Sequence, residues 1–247
     1  MRKLDTKTEQ IIERFTHEIQ TLYGDDLVSL MLYGSAAGTD FVPDRSDLNF
    51  LVVLKRVTLE ALRKAVPLIG DWHRQRIATP LFVDPDFLRS SLDVFPIEFL
   101  DMQEQHRLLA GKDILLELNI SPKNLRLQCE EELKGKLLNL YRGYLETGGR
   151  VEALVELMIG SLKSFLIITR HLLRLKGLKP AQEFLEILVQ AEETFELGFE
   201  AIRDVHSLRL GAIRLDKSDA HTMFARYLSD VERLAARADT LFQEPIP

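Results

Sequence analysis

Every run of apolar residues with the length and rhythm of a strand falls before residue 119 of this 247-residue chain, and everything after it repeats at helical spacing. The strand candidates are 27–33, 48–54, 80–83 and 95–100, each flanked by Gly, Pro or Asp. Helical patterns separate them at 6–22 and 58–76, the second with Thr58 as N-cap and Glu60 and Lys64 as an i,i+4 pair. Strands alternating with helices predict an α/β (α+β) domain over residues 1–118. Beyond Asn119, Ser121-Pro122 supplies an N-cap and first-turn proline, and helical spacing runs over 125–145 until Gly148-Gly149. Further helices are expected at 151–175, closed by Gly177 and Pro180, and at 180–197, 199–210 and 218–242. Residues 119–247 therefore predict an antiparallel, all-α bundle joined by short turns, with a disordered tail at 244–247.

Composition closes several routes. One cysteine, Cys129, forbids an intramolecular disulfide and fits a cytoplasmic, reducing setting. The N-terminus lacks the apolar segment of a secretion signal. The most apolar stretch, 154–168, is broken by Glu156 and Lys163 and is too short to span a bilayer, so no membrane partner is expected. A net charge of −6, with 19 acidic against 14 basic side chains in residues 1–120, argues against coating nucleic acid through bulk charge.

The chemistry-bearing segment follows the first strand: Tyr33-Gly34-Ser35-Ala36-Ala37-Gly38, then, after a spacer, Ser46-Asp47-Leu48-Asn49-Phe50. A strand ending in Gly-Ser lets backbone amides approach an anion closely, and a helix starting there would add partial positive charge. On the next strand Asp47 and Asn49 stand at i and i+2, on one face, while Leu48 and Phe50 point into the core. Oxygen donors so placed suit Mg²⁺. Ser46 offers a hydroxyl to a phosphate or a cap to the turn.

This arrangement resembles the polymerase-beta-like nucleotidyltransferase superfamily, whose signature is Gly-Ser, a spacer, then carboxylate–apolar–carboxylate. The helical half looks, in architecture, like the companion domain of aminoglycoside nucleotidyltransferases. The resemblance implies a nucleotidyltransferase-fold domain with a mixed sheet, an NTP and Mg²⁺ in a cleft between the halves, and transfer of a nucleoside monophosphate to a hydroxyl acceptor. It implies Gly34 and Ser35 at the phosphates and Asp47 and Asn49 at the metal. In the family a later strand brings a third carboxylate, for which Glu98, between Ile97 and Phe99, is the candidate and Asp101 the fallback. The helical domain often supplies a lysine to the phosphates; Lys163, on a polar stripe with Arg170, is the candidate.

One departure matters. Where the family has its second carboxylate this chain has Asn49, whose carbonyl can coordinate but cannot bridge two cations. The alternative expectation is therefore a catalytically impaired nucleotide-binding or partner-binding module that retains the fold. The spacing of Arg214 and His221 resembles that of helical ribonuclease domains and is discounted as coincidence, and His73 and His106 read as surface residues. Neither the base, the acceptor nor the oligomeric state is legible.

Overall fold

The computed structural model describes residues 4–38, 41, 46–213 and 215–241. Arg214, the tail at 244–247 and most of the spacer between Gly38 and Ser46 lie outside the described residues. Contacts divide the chain into two compact units, Met1–Ser121 and Pro122–Pro247.

The first unit opens with α1 (Thr6–Tyr23), started by Asp5, whose carboxylate accepts from the Thr8 N–H at 2.9 Å. Its buried stripe of Thr8, Ile12, Phe15, Ile19 and Tyr23 follows the helical repeat. The helix leads into β1 (Leu27–Tyr33), and the chain returns as β2 (Asn49–Leu54), antiparallel to it. Then come α2 (Leu59–Ala65), α3 (Ile69–Arg74), β3 (Leu81–Val83), α4 (Pro85–Ser90), α5 (Pro96–Glu104) and β4 (His106–Gly111). The sheet order is β3-β2-β1-β4, with β2 and β3 parallel and the other pairs antiparallel. It is a mixed sheet, as expected.

Both sheet faces are covered, which explains why β2 is apolar from Phe50 to Leu54 instead of alternating. Leu30, Leu32, Phe50 and Val52 pack under α1, where Phe15 stacks on Phe50 with centroids 4.0 Å apart. The chain's single tryptophan, Trp72, is fully buried in that layer and donates its indole N–H to Glu18 at 3.0 Å. Met31, Leu51 and Val53 face the other way, against Leu88, Phe99, Met102 and Leu115.

Two sequence expectations fail here. The helix expected over 58–76 starts as foreseen, with Thr58 accepting from the Ala61 N–H at 3.1 Å, but Pro67 interrupts it and splits it into α2 and α3 around a 3-10 turn. The strand expected at 95–100 is instead α5. Pro96 occupies its first turn, and the burial of Ile97, Phe99 and Met102 reads as alternation only while the window is short. The strand is supplied by β4, a sheet edge whose opening His106-Arg107 masked it. Gly111 at its end has φ 78° and sits where a Cβ would strike the Val28 backbone.

The second unit comprises α6 (Pro122–Thr147), α7 (Val151–Leu175), α8 (Phe184–Phe195), α9 (Glu200–Arg209) and α10 (Lys217–Leu241). Gly148 and Gly149, both at positive φ, turn α6 back along α7. Met158, Leu162, Phe165 and Leu172 of α7 form the centre of the bundle, with Tyr227 of α10 sharing a 2.6 Å hydrogen bond with Ser161. Asp230, 4% exposed, accepts from the Ala201 and Ile202 N–H groups and so caps α9 from another helix. Cys129 is fully buried on α6. Among the described residues no helix is long and apolar enough to cross a membrane.

Candidate functional site

At the end of β1 the chain leaves the sheet through Gly34, whose φ of 76° is a conformation that L side chains rarely adopt. A 3-10 turn, Gly34–Ala36, follows, closed by the Ala37 N–H donating to the Gly34 carbonyl at 2.9 Å. It stops after one turn, so the backbone corner forms without the longer helix whose terminus would have favoured an anion. The Gly34 N–H donates to the Gln105 carbonyl at 3.2 Å, tying the corner to the junction of α5 and β4.

Beside the corner runs the start of β2. Tyr33 pairs with Asn49, and the Asn49 side-chain amide lies 3.4 Å from where a Cβ on Gly34 would stand. Leu48 and Phe50 enter the core under α1, so Asp47 and Asn49 take the opposite side, as the alternation predicts. Asp47 projects into solvent, its side chain 59% exposed, and meets Arg76 at 3.6 Å. Gly34, Ser35, Ser46, Asp47 and Asn49 thus lie on two adjoining chain segments at one end of the sheet.

Arg76 was not foreseen. It sits at φ 60°, a strained setting for a side chain of its size, and is held there by two backbone bonds. Its N–H donates to the His73 carbonyl at 3.0 Å, and its own carbonyl accepts from the Leu48 N–H at 2.9 Å. The strained residue therefore fixes the start of β2 and places a guanidinium beside Asp47. Nothing in Arg-Gln-Arg announces this, because the signal is a backbone conformation and not a motif.

Glu98 does not occupy the place its expected role requires. It lies in the first turn of α5, not on a strand, and is exposed. The other end of α5 meets the corner through Gln105, so Glu98 is separated from it by seven residues of chain. At ~1.5 Å per residue that is about 10 Å along the helix axis. The fallback, Asp101, belongs to the same helix. In the segment leading into β3, the positions beside Asn49 hold Ala78 and Thr79, since Leu48 bridges Ile77 and Leu51 pairs with Leu81. Lys163 is an exposed residue of α7 in the second unit. His106 is no surface residue: its side chain is 8% exposed, with Nε2 3.0 Å from Asp113 and Nδ1 2.9 Å from the Met102 carbonyl.

The donor set decides what ions could be held. Asp47 and the Asn49 carbonyl suit one hard cation shared with ligand phosphates. They do not suit the pair of ions that a bridging carboxylate clamps, and among the described residues no cluster of three or more metal-ligating side chains occurs.

No family model and no curated protein matches the sequence. Structures do match. The spectinomycin adenyltransferase AAD(9) from Enterococcus faecialis, solved with ATP and spectinomycin, aligns over 94% of this chain and 99% of its own, with a TM-score of 0.57 at 12% identity. The fold is that of a nucleotidyltransferase. A nucleotidyltransferase-like protein from Exiguobacterium sibiricum also aligns, over 93% of this chain and 74% of its own, at TM-score 0.42 and 14% identity. That likeness is one of fold, and the fold places the Gly-Ser corner beside the polar start of β2 in this chain.

Proposed function

We propose that the first unit binds a nucleoside triphosphate with one Mg²⁺ at the corner where Gly34-Ser35 meets Ser46–Asn49, and that the fold is retained with nucleotidyl transfer impaired. The observation that carries this is the approach of the Asn49 side chain to the Gly34 corner, with Asp47 exposed next to it. Gly34 and Ser35 allow phosphate oxygens near the backbone, Ser46 adds a hydroxyl, and Asp47 is the carboxylate that holds the ion. Bound there, Mg²⁺ would neutralise phosphate charge. A neutral amide at Asn49 and a third acid displaced to α5 leave no second ion to activate an acceptor hydroxyl.

A second reading, transfer of a nucleoside monophosphate from NTP to a small-molecule hydroxyl, is favoured by the full-length likeness to an adenyltransferase solved with ATP and spectinomycin.

Calorimetric titration and pyrophosphate release separate the two. Asp47→Ala is expected to weaken Mg-ATP binding by about tenfold or more, the loss of one charge-assisted contact. Unchanged affinity would remove the nucleotide from this corner. Pyrophosphate release with each NTP is expected only after Asn49→Asp, with Glu98→Gln silent; turnover by the unaltered chain would establish the second reading instead.

A further inference from the structure

On the α1 side of β2, away from Asn49, lies a groove of about 680 Å³, large enough for a molecule of nucleotide size. Its walls carry Lys7 and Arg14 from α1, Arg74 from the end of α3 and Arg76 from the turn that follows it, with Ser46 also lining it. Among the described residues one carboxylate also lines it, Asp5, and that group is turned to the Thr8 N–H and hydroxyl as the α1 cap. Four cations around one concavity are unexpected in a chain of net charge −6 whose acid excess sits in this half.

Three of the four have acidic neighbours: Arg14 pairs with Glu18, Arg74 with Asp71 and Arg76 with Asp47. None of those three carboxylates lines the groove. The arginines are 66%, 74% and 47% exposed, and pairs this wet exchange readily for a better acceptor. Arg14 engages Glu18 through Nε, which leaves its Nη groups to turn toward a ligand. Lys7 and Arg14, seven residues apart, share one helix face about 10 Å apart along the axis. Two phosphate groups a few ångströms apart match that spread better than one does.

We propose that this groove is an anion site for a small molecule bearing two or more phosphate groups, bound by arginine and lysine without a metal ion. The groove shares Ser46 with the Gly34 corner and its Arg76 pairs with Asp47 there, but the proposal goes beyond nucleotide binding at that corner and does not require it. It also reverses the ligand class that the acidic balance of the first half would suggest, a cationic acceptor.

The test is calorimetric titration of inorganic tripolyphosphate into the full chain in EDTA at low ionic strength, beside orthophosphate. Saturable binding is expected, at least tenfold tighter for tripolyphosphate, weakened tenfold or more by Lys7→Gln with Arg14→Gln, and retained in Asp47→Ala. Circular dichroism of the double variant checks that α1 still forms. Lys176→Gln with Lys179→Gln, in the other unit, is the charge-matched control and should bind as the parent does. Absence of binding, equal binding by the groove variant, equal loss in the control, or tighter binding of a single-stranded oligonucleotide would each overturn the proposal. Loss in Asp47→Ala alone would assign the anion to the corner and overturn it too. Mg-ATP binding at the corner is read in a separate titration with metal, so either idea can fail while the other stands.

Discussion

Gly34 and Arg76 both hold positive φ, 76° and 60°, yet only one is a residue suited to it. A Cβ added at Gly34 would meet the Asn49 amide at 3.4 Å, an ordinary contact, so the cost of a side chain there is conformational. Gly34→Ala is expected to destabilise the first unit by about 1–2 kcal/mol through backbone strain. Thermal denaturation followed by Trp72 fluorescence would register this as a lowered midpoint, and calorimetry as weakened Mg-ATP binding. The corner was legible because a glycine-serine strand end and a period-two polar pair leave a mark in the sequence. Arg76 left none: its placement follows from the way a proline-broken helix ends, which only the assembled backbone reveals.

Among the elements, β1, β2, β3 and the bundle helices stand close to where periodicity put them, because each carries enough apolar residues to show its repeat. Residues 96–100 fall in a helix where the sequence predicts a strand, and 106–111 form a strand that it does not announce. A proline followed by two spaced apolar side chains is ambiguous over six residues, and an edge strand half-exposed along its length has no apolar run to betray it. That error cost the third carboxylate its strand. A different end effect is visible at α8, which terminates in Glu196 at φ 55° and ψ 43°, left-handed and exposed. Glycine is the residue this position favours. Glu196→Gly should therefore raise stability by about 0.5–1 kcal/mol, part of the gain in native strain being offset by the freer unfolded chain. Chemical denaturation monitored at helical ellipticity is the measurement, and a midpoint that falls would show that Glu196 makes a contact outweighing its strain.

For the whole molecule, the acid excess of the first half and the basic groove within it show that net charge describes solubility better than it describes a ligand. The sequence changes texture after residue 119, near the boundary between the two compact units at Ser121, and Asn49 is the one letter that breaks the carboxylate pattern the sequence resembles. A last consequence concerns Trp72 and Cys129, each the sole representative of its kind and each sealed inside a different unit. The native chain already contains two built-in probes: indole emission follows the sheet unit, and the rate at which a thiol reagent reaches sulfur follows opening of the helical one. Run side by side across a urea series, they would tell whether nature built this protein to melt in one step or in two, without a single added label.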